Sequence, residues 1–211
     1  MGSTCSTDNS KGKLGVKWLN PVTMSQLLLP GEQIQRVRYF TARVRRRPTD
    51  SNVHVRQDAY IRALRALPEL TVHEGQFFST VTRLPLAKPV GSRPRFVDVI
   101  KMEEKGSDVN LATYLLVDAF RNDADTFVVV SNDSDLTEPL RIVRHELGKR
   151  IGLLNPHRTP SLALQRCGPT FTRPVRRGVL LASQFHNDVL YTKPDGTQGK
   201  ITKPAGVVTH S

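Results

Sequence analysis

An α/β fold with a mostly parallel sheet is what this sequence predicts, and three observations lead there. Short apolar, β-branched segments alternate along the chain with longer segments whose apolar residues recur at helical spacing. The breaks between them are marked by proline and glycine, at Pro30-Gly31, Pro68 and Gly148. The chain is 211 residues long and 38% hydrophobic, enough to bury a core of its own. Strands that alternate with helices pair in parallel, with helices covering both faces of the sheet.

The elements follow in order. The spacing predicts a short helix over 22–29, stopped by Pro30-Gly31. Residues 34–45 partly alternate and are rich in β-branched and aromatic types, so they read as a strand, followed by a polar loop over 46–52. In 55–67, Ala59, Ile61, Leu64 and Leu67 sit at helical spacing, and Pro68 ends the helix. Residues 70–80 read as a second strand. Three prolines and a glycine make 84–96 a loop or an extended hairpin. A helix over 107–121, a buried strand over 126–131, a helix over 136–147 closed by Gly148 and a short strand over 150–154 complete the alternation. A further helix near 161–167 precedes a Gly/Pro/Thr-rich tail. The domain reading is an unstructured segment 1–13, a domain 14–157, and a C-terminal helix with an irregular tail over 158–211.

Composition narrows the class. Lys and Arg total 31 against 19 Asp and Glu, a net charge of +12. Arginines cluster at Arg43, Arg45, Arg46 and Arg47 and again at Arg173, Arg176 and Arg177. Such an excess suits a polyanionic partner, although a charge run alone reads equally as a solvated surface. Cys5 and Cys167 are too few for a disulfide framework, which points to the cytoplasm. No apolar run reaches a membrane span and no apolar signal segment is visible, so no membrane partner is expected. The start MGSTCS fits the bare myristoylation pattern through Gly2 and Ser6, with no second membrane signal beside it. Glycine-rich nucleotide loops and a GxSxG nucleophile motif are missing from the sequence, and the six histidines lack ligand spacing.

The stretch VVVSNDSDLTEPLRIV, residues 128–143, sets Asp133 and Asp135 where a strand gives way to a helix. In an open α/β sheet, that end of a strand is where ligands bind. A second acid, Asp108, opens a helix after the glycine turn in EEKGSDVN, residues 103–110. Three carboxylates at one sheet edge repel unless a cation stands between them, and Mg²⁺ or Mn²⁺ takes such oxygen ligands. A metal there can orient water for attack on a phosphodiester. Each acid has a competing reading. Asp135-x-x-Glu138 has capping-box spacing, and Ser107 or Asp108 could cap the following helix. Asp133 lies off the expected cap position. Lys105 is either a phosphate contact or a loop lysine. Glu104 and Asp118 are candidate supporting groups, with Asp118 on a helix surface.

These motifs resemble the NYN family of PIN-like nucleases. The resemblance is carried by EKGSDVNLATYLLVDAF and DTFVVVSNDSDLTEPLRIVRHELGKRIGLLNP, and it extends over roughly residues 11–206. It implies a PIN-like three-layer α/β/α fold, Mg²⁺ or Mn²⁺ dependence and RNA as substrate class. Asp108, Asp133 and Asp135 then become the catalytic, metal-site carboxylates, with Lys105, Arg43, Arg45 and Arg46 along the RNA. Asn132 stands where the family commonly has glycine. The family also begins with an apolar central strand ending in an aspartate. Residues 1–10 hold no such run, and Asp8-Asn9 is a faint echo of it, so the sheet is expected to lack that strand and the site its first acid. The expected function is a metal-dependent endoribonuclease impaired by that loss. The alternative is a catalytically inactive RNA-binding or interaction module. A homo-oligomer or a partner chain completing the sheet is the matching expectation about assembly.

Overall fold

The computed structural model describes residues 16–44, 46, 50–88 and 96–205. The expectations that fall on Gly2, Cys5, Asp8, Arg45 and Arg47 lie outside the described residues.

Helix α1 (Pro21–Leu28) starts where Asn20 Oδ1 accepts the Val22 and Thr23 N–H groups, with Pro21 at the first helical position. Strand β1 (Val37–Ala42) pairs in parallel with β2 (Leu70–Pro85), and α2 (Val53–Arg65) makes the crossover. Past Gly75, β2 leaves β1 and continues as an antiparallel ribbon with β3 (Phe96–Lys105). Where the sequence reading stops at a loop or extended hairpin over 84–96, a ten-residue strand, β3, starts at Phe96 and pairs back onto β2. Helix α3 (Ser107–Phe120) follows, then β4 (Thr126–Val130). A single helical segment next runs from a 3₁₀ turn at Ser134–Leu136 through α4 (Thr137–Arg141) to a π turn at Ile142–Glu146. Gly148 closes it at φ +66°, and Lys149 N–H reaches back to the Val143 carbonyl. Strand β5 (Arg150–Asn155) pairs in parallel with β4 on one side and with β6 (Phe171–Pro174) on the other.

The tail differs from the expectation of irregular chain. After α5 (Leu162–Arg166) come β6, then α6 (Arg177–Ala182) and a hairpin of β7 (Asp188–Thr192) and β8 (Gln198–Thr202). Asp195-Gly196 makes the hairpin turn: Gly196 has φ +81° and Asp195 Oδ1 accepts the Thr197 N–H. This segment joins the core. Phe185 and Ile201 pack with the wholly buried Trp18 and with Ala63 and Leu64 of α2, while Trp18 Nε1 donates to the His186 carbonyl. Each of these strands is five residues or shorter, too brief to show a period in the sequence.

Two faces of the sheet carry helices, so three layers form. On one face Leu115 and Ala119 of α3 pack with Val129, Leu136, Leu140, Val143, Ile151 and Leu153. On the other, Met24 and Leu28 of α1 and Leu29 just after it cover Leu154. Strand β5 is therefore buried on both sides, as its unbroken apolar run requires. Strand β4, expected to be buried, is so only at Val129; Val130 is 45% exposed. Strands β1 and β4 do not pair with each other: β1-β2-β3 and β4-β5-β6 are separate ladders. Helix α3 spans them, since it touches β1 and β2 as well as the β4–β5 core.

Gly75 marks the point where β2 turns from sheet to ribbon. A Cβ there would stand 2.6 Å from the Lys105 carbonyl oxygen and 3.1 Å from the Ser107 N. Both are backbone atoms and cannot swing aside. Gly75→Ala is expected to cost about 2 kcal/mol in chemical denaturation, as overpacked sites do. A variant as stable as the parent would show that the ribbon root can yield.

Candidate active site

Site residues come from three chain segments. Glu104 is the last residue but one of β3, opposite Phe77, Gly106 turns the chain at φ +99°, and Asp108 occupies the first turn of α3. Only glycine holds that left-handed turn cheaply, so the -Lys-Gly-Ser-Asp- order follows from the corner it must make. Beyond β4, Asp133 and Asp135 lie in the turn that starts the next helical segment.

Capping corrects the sequence reading. Asp133, not Asp135, is the N-cap: its Oδ1 accepts the Asp135 N–H at 3.0 Å, and its own N–H donates to Ser131 Oγ at 3.1 Å. The 3₁₀ turn starts at Ser134, two residues before the apolar period, which moves the cap position from Asp135 to Asp133. Neither Ser107 nor Asp108 caps α3, because Gly106 holds that position and makes no side-chain bond. Asn132 locks the turn to the chain beyond β5. Its amide donates to the Thr159 carbonyl and its Oδ1 accepts the Ser161 N–H at 2.6 Å.

The turn leaves one carboxylate oxygen without a protein partner. Asp133 Oδ2 is buried and accepts no hydrogen bond, and the Ser107 hydroxyl is likewise buried and unpaired. A buried, unpaired carboxylate oxygen is costly and calls for a cation or a donor. Asp108 shows the same field. Its pKa is raised, first by loss of hydration, then by the charges of Asp133, Glu104 and Asp135. The four acids are thus near enough to repel. Among the described residues, however, no group of three His, Cys, Asp or Glu side chains stands at metal-binding spacing. The donors suit a hard cation by chemistry and by the orphaned oxygen, while their spacing is wider than a closed coordination shell.

The raised Asp108 pKa has a consequence for stability in the absence of metal. Its folded pKa exceeds the unfolded one, so the native state binds the proton more tightly. Stability then falls as pH rises from the ordinary carboxylate range through the raised value, and stays level above. Asp108→Asn in a chelator is expected to melt a few degrees higher at pH 7, with the gap closing on acidification. Thermal melts across pH check it, and a variant that melts lower at pH 7 contradicts the repulsion.

The basic residues are placed unevenly. Arg43 donates to Glu74 at 2.5 Å and to Asp58 at 2.7 Å, so acids of the chain already occupy its guanidinium. Arg46 is exposed. Lys105 lies over the Phe78 ring at 5.7 Å, at the root of the ribbon. Arg173, from the second cluster, donates to the Leu28 carbonyl and sits over Phe171. Asp118 is not on a free surface. Its side chain is 13% exposed and takes a two-pronged bond from Arg38 at 2.6 and 2.7 Å. Arg38 also stacks on Tyr114 at 4.6 Å. This pair links β1 to α3, and nothing in the local sequence announces a partner 80 residues away.

Comparison with known proteins gives the family. The NYN domain model matches residues 27–174, well over half of the chain. A segment of 128 residues is 30% identical to 6-hydroxy-3-succinoylpyridine 3-monooxygenase HspA of Pseudomonas putida. The match takes in 57% of this chain and 41% of that protein, so the chain spans less than half of that relative's length. A solved structure of a protein of unknown function, VPA0982 from Vibrio parahaemolyticus, aligns with 75% of this chain and 80% of its own at a TM-score of 0.48 and 13% identity. With two acidic turns beside parallel strands, helices on both faces and a family model over most of its length, the chain belongs to the NYN-domain family of PIN-like α/β proteins.

Proposed function

We propose that this chain is a metal-dependent ribonuclease, with Asp108, Asp133 and Asp135 as its metal carboxylates. The observation that carries the reading is the unpaired, buried Asp133 Oδ2 among acids whose charges raise Asp108. NYN membership supports a nuclease-type domain acting on RNA. A bound Mg²⁺ or Mn²⁺ supplies Lewis-acid activation of water and neutralises phosphate charge. The chain's own residues set the stage for that. Ser131 Oγ accepts the Asp133 backbone N–H, the Asp135 N–H fixes one oxygen of the Asp133 carboxylate, Asn132 holds the turn, and Gly106 makes the corner that precedes Asp108. Lys105 and Arg46 are free to approach the RNA backbone, whereas Arg43 must give up Glu74 or Asp58 first. The two cysteines suit a cytoplasmic setting. The oxygenase name of the Pseudomonas relative is not carried over, since this chain covers 41% of that protein.

Cleavage of a labelled single-stranded RNA with Mn²⁺ tests the proposal, beside an EDTA control. Metal-dependent cleavage is the expected result. A second reading, RNA binding without chemistry, draws on the absence of metal-spaced acid triads among the described residues. RNA retention with no cleavage by a cooperatively folded chain would establish it in place of the first.

A further inference from the structure

Among the described residues, the β2–β3 ribbon gathers more exposed large hydrophobic side chains than any other element. Ten residue pairs, Gln76↔Lys105 to Pro85↔Phe96, extend past the end of β1, and β3 makes no substantial contact except with β2. Fourteen large hydrophobic side chains are exposed among the described residues, and seven of them are here. Directly opposed residues share a face, as do residues two apart. Val81 and Ile100 therefore stand side by side, 73% and 74% exposed, flanked by Met102 and Phe96. Phe78, Leu84 and Val97 are exposed on the reverse face. Two strands without a covering layer are marginal in water. A ribbon this long and apolar on both sides calls for cover.

Charge decides what covers it. Residues 76–85 and 96–105 hold Arg83, Lys101 and Lys105 against Asp98, Glu103 and Glu104, which sums to zero on a chain of net +12. A surface meant for RNA would share the chain's positive excess. A neutral one carrying both signs suits a copy of itself. We propose that the face bearing Val81 and Ile100 is a homodimer surface. A two-fold axis running along the ribbon lays each Val81 on the other copy's Ile100, and each Arg83 on the other copy's Asp98. The same residues meet reciprocally, as a two-fold interface requires. The strip is about 33 Å long, and two copies would bury roughly 1,000 Å² in total, the lower bound for a specific contact. The dimer is therefore weak and reversible. Because the ribbon grows from Gly75 and Gly106, pairing also sets the two acidic edges at a fixed separation.

Sedimentation of the full chain from about 5 to 500 μM tests this, with far-UV melts confirming that each variant is folded. Wild type is expected to shift from monomer to dimer across that range, and Val81→Glu/Ile100→Glu to stay monomeric. Arg83→Asp and Asp98→Arg alone are each expected to weaken pairing about tenfold, since each meets like charge across the axis. An equimolar mixture of the two is expected to dimerise as well as wild type, because all cross-axis charges are then opposite. Wild type that stays monomeric throughout overturns the proposal. So does a dimer that survives Val81→Glu/Ile100→Glu, or single-charge variants that do not complement on mixing. Loss of RNA binding by a Val81→Glu/Ile100→Glu chain whose parent is monomeric would assign the ribbon to RNA instead.

Discussion

Asp133→Asn is expected to abolish RNA cleavage, by at least about 100-fold, while leaving the melting temperature within a degree or two. The two effects separate because the residue holds two roles on two atoms. Oδ1 caps the helical segment by accepting the Asp135 N–H, and asparagine keeps an oxygen there, being as good an N-cap as aspartate. Oδ2 is buried without a partner, and replacing it by an amide removes the anionic donor proposed to hold the metal. A loss of 100-fold corresponds to about 2.7 kcal/mol of transition-state stabilisation. Single-turnover cleavage and a thermal melt of the same preparation check it. An Asn variant that cleaves at the parental rate would remove Asp133 from the metal site. A variant that also melts far lower would show that the charge serves the fold.

Asp118→Ala is expected to destabilise the chain by about 3 kcal/mol, the larger structural effect. The carboxylate receives both prongs of Arg38, with Arg36 Nη1 3.8 Å away, and both members of the Arg38–Asp118 pair are largely buried. Removing one partner of a buried ion pair strands the other charge, which costs more than the pair contributed. Here the stranded Arg38 guanidinium would stay between β1 and α3, against Tyr114 of α3. Because α3 spans the two ladders, loosening its hold on β1 should also lower the cooperativity of unfolding. Urea denaturation gives both readouts, midpoint and slope. Arg38→Met/Asp118→Leu, which removes both charges for apolar groups of similar reach, is expected to recover most of the loss. A loss below about 1 kcal/mol for Asp118→Ala would mean that water reaches the pair.

Apart from β3, the order of elements from residue 21 to 155 was legible in the sequence, because apolar β-branched runs and helically spaced segments alternate there and are bounded by proline, glycine or polar turns. Family membership was legible too, since the Lys105–Val109 turn and the Ser131–Asp135 strand end are local motifs. Pairing and placement were not legible. The prolines near residue 89 hid a strand in Phe96–Lys105, whose partner is found only by register across the hairpin. The short strands of the C-terminal segment carry no periodic signal, and they exist because Trp18, Phe185 and Ile201 meet in one cluster. The cap moved from Asp135 to Asp133 because a 3₁₀ turn precedes the helix, a choice the apolar spacing does not encode. Sequence by itself determined the helices and parallel strands that lead to the acidic turns and which acids stand there, since those depend on near neighbours. Only the tertiary structure decided that Asp118 is tied to Arg38, that Asp133 keeps an oxygen without a partner, and that the ribbon exposes seven large apolar side chains. Those facts depend on desolvation and contact between residues far apart in the chain.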